Sequence, residues 1–347
     1  MSQALPPDQT PTPLKLTQLA GEAAAVPPAG WRGVFSTLAG QAKTSLGQGR
    51  VWHALDTRHG LVNSVSLLPA VCDDPFDYGR IAAAHALSEA LGTGAHPIIA
   101  QALLALPSNR LEAGCAERIL AGAQAVCRAF DLELAAGQLI DAPQPSFGLA
   151  LSSQIQLAQL KPLRAARPGD KLILARGLGS GLVASALTQG HVSAVHAAEF
   201  ITLATTANSA GPLLACLEGV HALATVSGAG LFFSLLELCQ AADLRATLDW
   251  QALPRLPQVD NLLGSGFTHP AVARNWPLVA ASVRCPEKLL AAARTLLCAA
   301  EFAGTLLVTC AGDTVSEVLS LFLQQGCTQV AVVGEILRGT PGVSLAD

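Results

Sequence analysis

Short apolar segments alternate along the chain with longer segments that are rich in alanine and leucine. Short apolar runs of this kind are typical of strands that are buried in a sheet. Six such runs predict strands. They are Val62–Leu68, Ile98–Leu106, Gly148–Gln154, Lys171–Ala175, Thr305–Val308 and Gln329–Val333.

The longer segments have the apolar spacing of helices and separate the predicted strands. Gly79–Leu91 and Leu289–Ala300 are two of them. Arg110–Ala129 follows Ser108–Asn109, whose polar side chains predict an N-cap. Leu231–Ala242 is apolar on all sides, which predicts a fully buried helix. This mixture of strands and helices indicates a fold of the α/β and α+β classes.

The chain is long enough for two domains with sizeable cores. The segment Lys161–Asp170 combines three basic residues with two prolines and a glycine, a composition that suits an exposed connection. We therefore predict one domain at 16–160 and a second at 169–340. Residues 1–15 are rich in Pro, Gln and Thr and lack the pattern of a signal peptide, so we expect a disordered lead-in.

The composition favours assembly and gives no indication of nucleic acid binding. Hydrophobic residues make up 51% of the chain and charged residues 13%, against roughly 25% charged in typical soluble domains. So few charges predict a large buried fraction, in a homodimer or in a complex with another protein. The net charge of −4 offers no basic surface for nucleic acid. The longest uncharged stretches, 200–217 and 219–236, are interrupted by Gly, Pro or polar residues, so no membrane insertion is expected.

The nine cysteines show no metal-binding or redox spacing. No two of them lie closer than twelve residues, so no CxxC pair is present. An odd number of cysteines without a secretion signal predicts reduced thiols and a cytoplasmic location.

Several longer motifs follow one another in a fixed order. Asp73–Arg80 reads DDPFDYGR and is followed by IAA, and Ala136–Leu151 reads AGQLIDAPQPSFGLAL. Leu172–Leu182 (LILARGLGSGL), Asn208–Leu231 (NSAGPLLACLEGVHALATVSGAGL) and Leu253–Val259 (LPRLPQV) follow. In order and spacing these motifs resemble the selenophosphate synthetase family, also called selenide, water dikinase. The resemblance extends from about residue 16 to residue 338.

The resemblance implies the two-domain fold of the aminoimidazole ribonucleotide synthetase (PurM-like) superfamily. In that fold an N-terminal α/β domain forms a dimeric β-barrel with its twin, and a C-terminal α+β domain packs beside it. Family members bind ATP with several magnesium ions at the domain junction and transfer a phosphoryl group to selenide. Such chemistry depends on carboxylates that hold the metals and on cations that bind the phosphates.

The residues that the resemblance implies for catalysis are replaced in this chain. Ala25 stands where the family has its reactive cysteine or selenocysteine, and Pro28 stands where it has an essential lysine. A proline carries no charge and donates no hydrogen bond. We therefore expect no catalytic residue at either position.

The positions implied as metal ligands have also changed. The paired aspartates fall on Gln48–Gly49, the strand aspartate on Ser66, the helix asparagine and aspartate on His85 and Glu89, and a further aspartate on Thr225. Glu89 is thus the only carboxylate among them, and one carboxylate does not offset several magnesium ions. The family's Gly-Gly-His stretch has become 136–138, and its DPQTSGG has become AAEFAGT at 299–305.

Other polar and glycine-rich features allow a functional and a structural interpretation. Gly177, Gly179 and Gly181 follow a predicted strand and could cradle phosphate, although a tight turn is favoured. Gly228 and Gly230 open the buried helix, with Ser227 as its expected cap. The aspartates at 73, 74 and 77 suggest a turn and helix cap rather than a metal site. The histidine at 85 is interpreted as a packing residue, with a ligand role as the alternative.

These observations favour a family relative that acts by association or regulation, without ATP turnover and with no cofactor. Two alternatives stay open. The chain is a divergent selenide, water dikinase that uses ATP and magnesium, or it binds a nucleotide or metabolite in the same cleft.

Overall fold

The structure is a computed structural model that describes residues 14–19, 46, 49–107 and 110–347. Most of the predicted lead-in lies outside the described residues. Ala25 and Pro28, which replace the family's implied catalytic cysteine and lysine, also lie outside the described residues. So do Gln48 and the predicted cap residues at 108 and 109.

The N-terminal part of the chain forms a five-stranded sheet in the order β1-β2-β5-β3-β4. Strands β3 and β4 pair in parallel, and the other neighbours pair antiparallel. The strands are β1 (Arg50–Ala54), β2 (His59–Pro69), β3 (His96–Leu106), β4 (Leu134–Asp141) and β5 (Ser146–Gln156). The helices are α1 (Leu16–Leu19), α2 (Pro75–Leu91) and α3 (Cys115–Arg128).

Helices α2 and α3 pack closely against each other. A Cβ atom at Gly79 would overlap the carbonyl oxygen of Ile119, and one at Gly122 would overlap that of Phe76. The Asp74 side chain caps α2 by accepting a hydrogen bond from the Asp77 amide at 2.9 Å. This capped, alanine-rich helix is buried along most of its length and leads from the N-terminal sheet to the C-terminal part.

The C-terminal part forms a seven-stranded sheet in the order β7-β10-β6-β11-β8-β12-β9. Its strands are β6 (Lys171–Leu174), β7 (Val220–Val226), β8 (Arg245–Asp249), β9 (Val283–Arg284), β10 (Thr305–Cys310), β11 (Ala331–Leu337) and β12 (Gly342–Ala346). Its helices are α4 (Ser180–Thr188), α5 (Ala194–Ala204), α6 (Gly211–Ala215), α7 (Gly230–Ala242), α8 (Val259–Gly264), α9 (Ala271–Val279), α10 (Glu287–Leu297) and α11 (Val315–Gln324). The expected fold of the α/β and α+β classes is confirmed.

Strand β7 lies at an edge of the second sheet, yet all seven of its residues are buried. Helices α6 and α7 cover it from its own part of the chain, and the C-terminal end of α2 approaches it at Thr225. A Cβ atom at Gly92 would overlap the Thr225 hydroxyl, and one at Gly211 would overlap the carbonyl oxygen of Leu91. The two parts of the chain therefore meet where α2 ends on β7.

The predicted strands and helices are present, with bounds that differ from the predictions by one to five residues. The helix predicted from residue 110 begins at Cys115, because Gly114 adopts a left-handed conformation with φ of 81°. The strand predicted at 329–333 begins at Ala331 and extends to Leu337. The expected cap of the buried helix is wrong. Its N-cap residue is Ala229, which makes no side-chain cap hydrogen bond.

The predicted connection Lys161–Asp170 lies between the last strand of the first sheet and the first strand of the second. The domain bounds at 160 and 169 stay predictions. Among the described residues, no helix combines the length and the apolar character that crossing a bilayer requires.

Candidate functional site

A buried ion pair lies where the two parts of the chain meet. Arg50 on β1 places Nη1 3.2 Å from Oε2 of Glu89, which lies in the last turn of α2. The side chains are 5% and 8% exposed. Charged groups this deeply buried are retained only when they are paired, because the loss of hydration is costly.

Thr225 on β7 joins this pair from the C-terminal part. Arg50 Nη1 donates to Thr225 Oγ1 at 3.4 Å, and that hydroxyl donates to the carbonyl oxygen of Ser88 at 3.3 Å. The guanidinium therefore contacts both parts of the chain. The cluster formed by Arg50, Glu89 and Thr225, together with Ser88 and His85, is called the junction cluster below.

Two members of the junction cluster have unsatisfied polar atoms. Neither carboxylate oxygen of Glu89 accepts a hydrogen bond from a described residue, and His85 Nδ1 has no hydrogen-bond partner among them. His85 lies four residues before Glu89 on α2, so the two side chains share one face of the helix. Burial lowers the pKa of His85, although the nearby Glu89 opposes this shift. Native structures leave few buried polar groups unpaired, so these atoms are groups that a bound ligand or water would satisfy.

A second buried arginine connects to the junction cluster. Arg176, directly after β6, donates to the carbonyl oxygen of Thr206 at 2.7 Å and to Oδ1 of Asn208 at 2.9 Å. The Asn208 amide donates to Ser88 Oγ at 3.2 Å, and its side chain donates to the Gly304 carbonyl at 2.7 Å. Two guanidinium groups and one carboxyl side chain thus share one buried network.

The glycine-rich turn Gly177–Gly181 directs its amides at an internal carboxylate. Glu301 accepts hydrogen bonds from the amides of Gly179 at 2.7 Å and Ser180 at 3.0 Å, and from the Ser180 hydroxyl at 2.5 Å. Gly179 adopts a φ of 103°, which favours glycine, and the Gly177 amide donates to Gln329. The amides of Gly177, Gly179 and Ser180 are therefore already paired with side chains.

Glu301 is fully buried, and burial raises its pKa to about 7, against the opposing effect of the three hydrogen bonds. Glu301 stands at the glutamine of the family's DPQTSGG stretch. No motif in the sequence singles out Glu301. The one signal that could have found it is that Glu301 is the only charged residue in the largely apolar segment 296–308.

The second glycine turn serves close packing. Gly230 has a φ of 78°, and a Cβ atom there would lie 2.6 Å from the carbonyl oxygen of Leu297. The Gly228 carbonyl accepts a hydrogen bond from Asn275 at 3.1 Å. Residues 228 and 230 are thus placed against the segment that precedes β10.

The structure brings together only part of the implied metal-ligand set. Glu89 and Thr225 both contact Arg50, which the sequence analysis overlooked although it follows Gly49 directly. Ser66 lies half-buried on β2, two residues beyond Ser64, the register partner of Arg50. The aspartates near α2 have structural roles: Asp74 pairs with Arg118 at 2.6 Å, and the carboxylate at 77 pairs with the arginine at 80 at 2.9 Å.

The junction cluster does not suit the magnesium ions that the resemblance implies. Magnesium requires oxygen ligands, chiefly carboxylates and waters. Here the one carboxylate already pairs with a guanidinium, and a doubly charged ion about 4 Å from that guanidinium would be repelled by on the order of 8 kcal/mol at an effective dielectric of about 20. The described residues contain no group of three or more Asp, Glu, His or Cys side chains that could hold a metal ion.

A shallow depression of about 400 Å³ lies on the C-terminal part, away from the junction cluster. Arg255, Gln258 and Asp260 line it, together with Gln329. The Arg255 guanidinium stacks on Trp250 at 4.3 Å and lies 3.5 Å from the Asp260 carboxylate. Its charge is thus partly offset within the chain.

Family models match most of the described chain. The model of the N-terminal domain of AIR synthase related protein matches residues 49–153, and that of its C-terminal domain matches residues 167–345. The selenide, water dikinase of Dechloromonas aromatica is 38% identical over 293 residues, which cover 84% of each chain. That of Burkholderia pseudomallei is 37% identical and covers 85% of this chain and 83% of the relative.

Two solved structures have the same fold at low sequence identity. AaThiL complexed with AMPPCP and TMP matches with a TM-score of 0.68 and 16% identity, covering 96% of each chain. The hydrogenase maturation protein HypE in complex with ATP matches with a TM-score of 0.65 and 17% identity, covering 84% of this chain and 83% of that one.

Proposed function

The chain belongs to the selenide, water dikinase family of AIR synthase related proteins, and on that premise we propose that it binds ATP at the junction of its two domains. The observation that carries this proposal is the pair of buried guanidinium groups, Arg50 and Arg176, in a network with the single carboxylate of Glu89. Guanidinium groups bind phosphate oxygens through paired, charge-assisted hydrogen bonds. The unsatisfied atoms of Glu89 and His85 add polar contacts for the rest of a nucleotide.

The relatives support the same proposal. The curated relatives carry the name of a dikinase, and HypE was solved in complex with ATP. These names favour the two alternatives in which the chain uses or binds a nucleotide. They count against the prediction of a family relative that acts by association or regulation without a ligand. The prediction that no cofactor is needed stays untested.

Calorimetric titration with ATP tests the proposal. We expect saturable one-to-one binding that weakens by about 10- to 100-fold in Arg176→Met, since a hydrogen bond to a charged group contributes about 1.5–3 kcal/mol. Arg294→Met is the matched control, because Arg294 is exposed on α10. Absence of heat with the folded wild-type chain at millimolar ATP would reject the proposal, and equal loss in both variants would reject the site.

Phosphoryl transfer to selenide is the second candidate function. It is favoured by 38% identity to a selenide, water dikinase over 84% of the chain. The residues at Ala25 and Pro28 argue against it, and the non-catalytic reading stays a prediction. Complementation of a strain that lacks its own selenophosphate synthetase distinguishes phosphoryl transfer to selenide from ATP binding without turnover. Rescue of a selenium-dependent enzyme supports the second candidate, and failure despite normal expression supports a binding role without turnover.

We also propose that the chain forms a homodimer through the outer face of its N-terminal sheet, with a heteromeric assembly as the alternative. Exposed apolar side chains of strands β1, β2, β3 and β4 lie on that face. They are Val51, Val65, Leu67, Ile99 and Ile140. All nine cysteines are free thiols in the structure, which supports the proposal of a reducing, cytoplasmic location.

A further inference from the structure

We infer that the Arg50 guanidinium is a built-in cation that takes the place of a divalent metal at the junction, so that a nucleotide bound there needs no magnesium. This inference rests on the proposed ATP binding and specifies the form of the ligand as the metal-free nucleotide.

The position of the guanidinium is the first argument. Glu89 and Thr225 stand at two positions that the resemblance implies as metal ligands, one from each domain. Both contact the same nitrogen atom of Arg50, at 3.2 and 3.4 Å. A positive group therefore already lies between two of the implied ligand positions, one of which keeps a carboxylate.

The chemistry of the guanidinium is the second argument. A guanidinium is positively charged and carries its N–H donors in one plane, a geometry that suits phosphate oxygens as well as carboxylates. The contacts of Arg50 with α2, through Glu89, and with β7, through Thr225, hold it in the junction before any ligand arrives. A preorganised cation of this kind offsets phosphate charge without the cost of ordering a flexible side chain.

The unsatisfied atoms distinguish a ligand site from a structural clamp. If Arg50 only fastened the two domains together, the polar atoms around it should be paired with one another. Oε2 of Glu89 lies 3.2 Å from Arg50 Nη1, yet neither oxygen of Glu89 nor Nδ1 of His85 makes a hydrogen bond with a described residue, although both side chains are more than nine-tenths buried. This arrangement fits a site that is completed by a ligand.

The nucleotide experiment compares ATP binding in EDTA with binding in magnesium. For the wild-type chain we expect dissociation constants that agree within about threefold, since every 1.4 kcal/mol is tenfold. Arg50→Met should weaken binding in EDTA at least tenfold, and Arg50→Lys, which keeps the charge, should recover part of that loss. Circular dichroism checks that each variant is folded. Tight binding only in magnesium, or an Arg50→Met variant that binds ATP in EDTA as well as wild type does, would overturn the inference.

A metal titration without nucleotide tests the inference independently of the proposed function. Electron paramagnetic resonance with Mn²⁺ alone should show no site in the wild-type chain at millimolar metal. The double variant Arg50→Ala with Thr225→Asp removes the cation and adds a carboxylate opposite Glu89, so it should bind Mn²⁺. Wild-type binding that Glu89→Gln abolishes, or a folded double variant that binds no Mn²⁺, would contradict the inference. If the wild-type chain binds ATP in neither buffer, the proposed function fails and the Mn²⁺ result alone decides about Arg50.

Discussion

At the scale of single residues, the ion pair between Arg50 and Glu89 determines both the charge and the stability of the junction. Glu89→Gln leaves a buried guanidinium without its carboxylate, which typically costs about 3–5 kcal/mol. Urea denaturation measures this loss against Glu317→Gln, whose side chain is exposed on α11. The double variant with Arg50→Met should lose less than the sum of the single variants. Additive losses would show that the two groups are not coupled.

Glu301 makes a second prediction at this scale, for pH dependence. Its pKa is raised from 4.5 to about 7, so the folded chain keeps a proton that the unfolded chain has released. The stability associated with Glu301 is therefore complete below about pH 4.5, declines as the pH rises to about 7, and stays lower above it, by about 3 kcal/mol in total.

Glu301→Gln removes this titration, so its stability relative to wild type should increase between pH 5 and pH 8. Denaturation curves at several pH values measure the difference, with the exposed Glu218→Gln as the matched control. Parallel pH profiles for wild type and Glu301→Gln would show that the carboxyl group is not buried in the protonated form.

Some residues of the site could be predicted from the sequence and others could not. The resemblance placed Glu89 and Thr225 at one site, and the structure brings both into contact with a single side chain. Arg50 could not be predicted, because the side of the sheet on which its side chain lies depends on the register between β1 and β2. That register pairs Arg50 with Ser64, and no local sequence pattern specifies it. Glu301 was missed because its partners lie more than 120 residues away in the chain.

At the scale of elements, the outer face of the N-terminal sheet predicts the oligomeric state. Light scattering should give a mass near twice 35.6 kDa. Val65→Lys places a charge on a side chain that is 58% exposed at the centre of this face, and it should shift the chain to monomer. Leu323→Lys is the control, because Leu323 is 55% exposed on α11 in the other domain. A monomeric wild type at micromolar concentration would contradict this prediction.

Strands β1, β4 and β7 are among the elements that could not be predicted from the sequence, each for a physical reason of its own. Strand β4 (LAAGQLID) has neither a continuous apolar run nor regular alternation, and β1 (RVWHA) is a short edge strand that carries a charge. Strand β7 (VHALATV) is apolar, but it lies at an edge of its sheet and is covered by α6 and α7, with the end of α2 approaching it at Thr225. Long-range pairing of this kind overrides local preference.

At the scale of the whole molecule, helix α2 joins the two domains to the candidate site. Its N-terminal end is capped beside the first sheet, and its last two turns carry His85, Ser88 and Glu89 to β7. The scaffold motifs could be recognised from the sequence because they are contiguous. The charge balance of the site could not be predicted from the sequence. It arises from side chains that are far apart in the chain, on β1, α2, β7 and the segment after β6.

The central claim is that ATP binds between the domains with an arginine in place of the metal. A crystal structure of the chain with ATP and Mn²⁺, with anomalous data that locate manganese, tests it most directly. We predict phosphate oxygens within about 3 Å of the Arg50 or Arg176 guanidinium and no manganese bound by Glu89. A nucleotide bound elsewhere, or manganese on Glu89 with Arg50 displaced from it, would contradict the account.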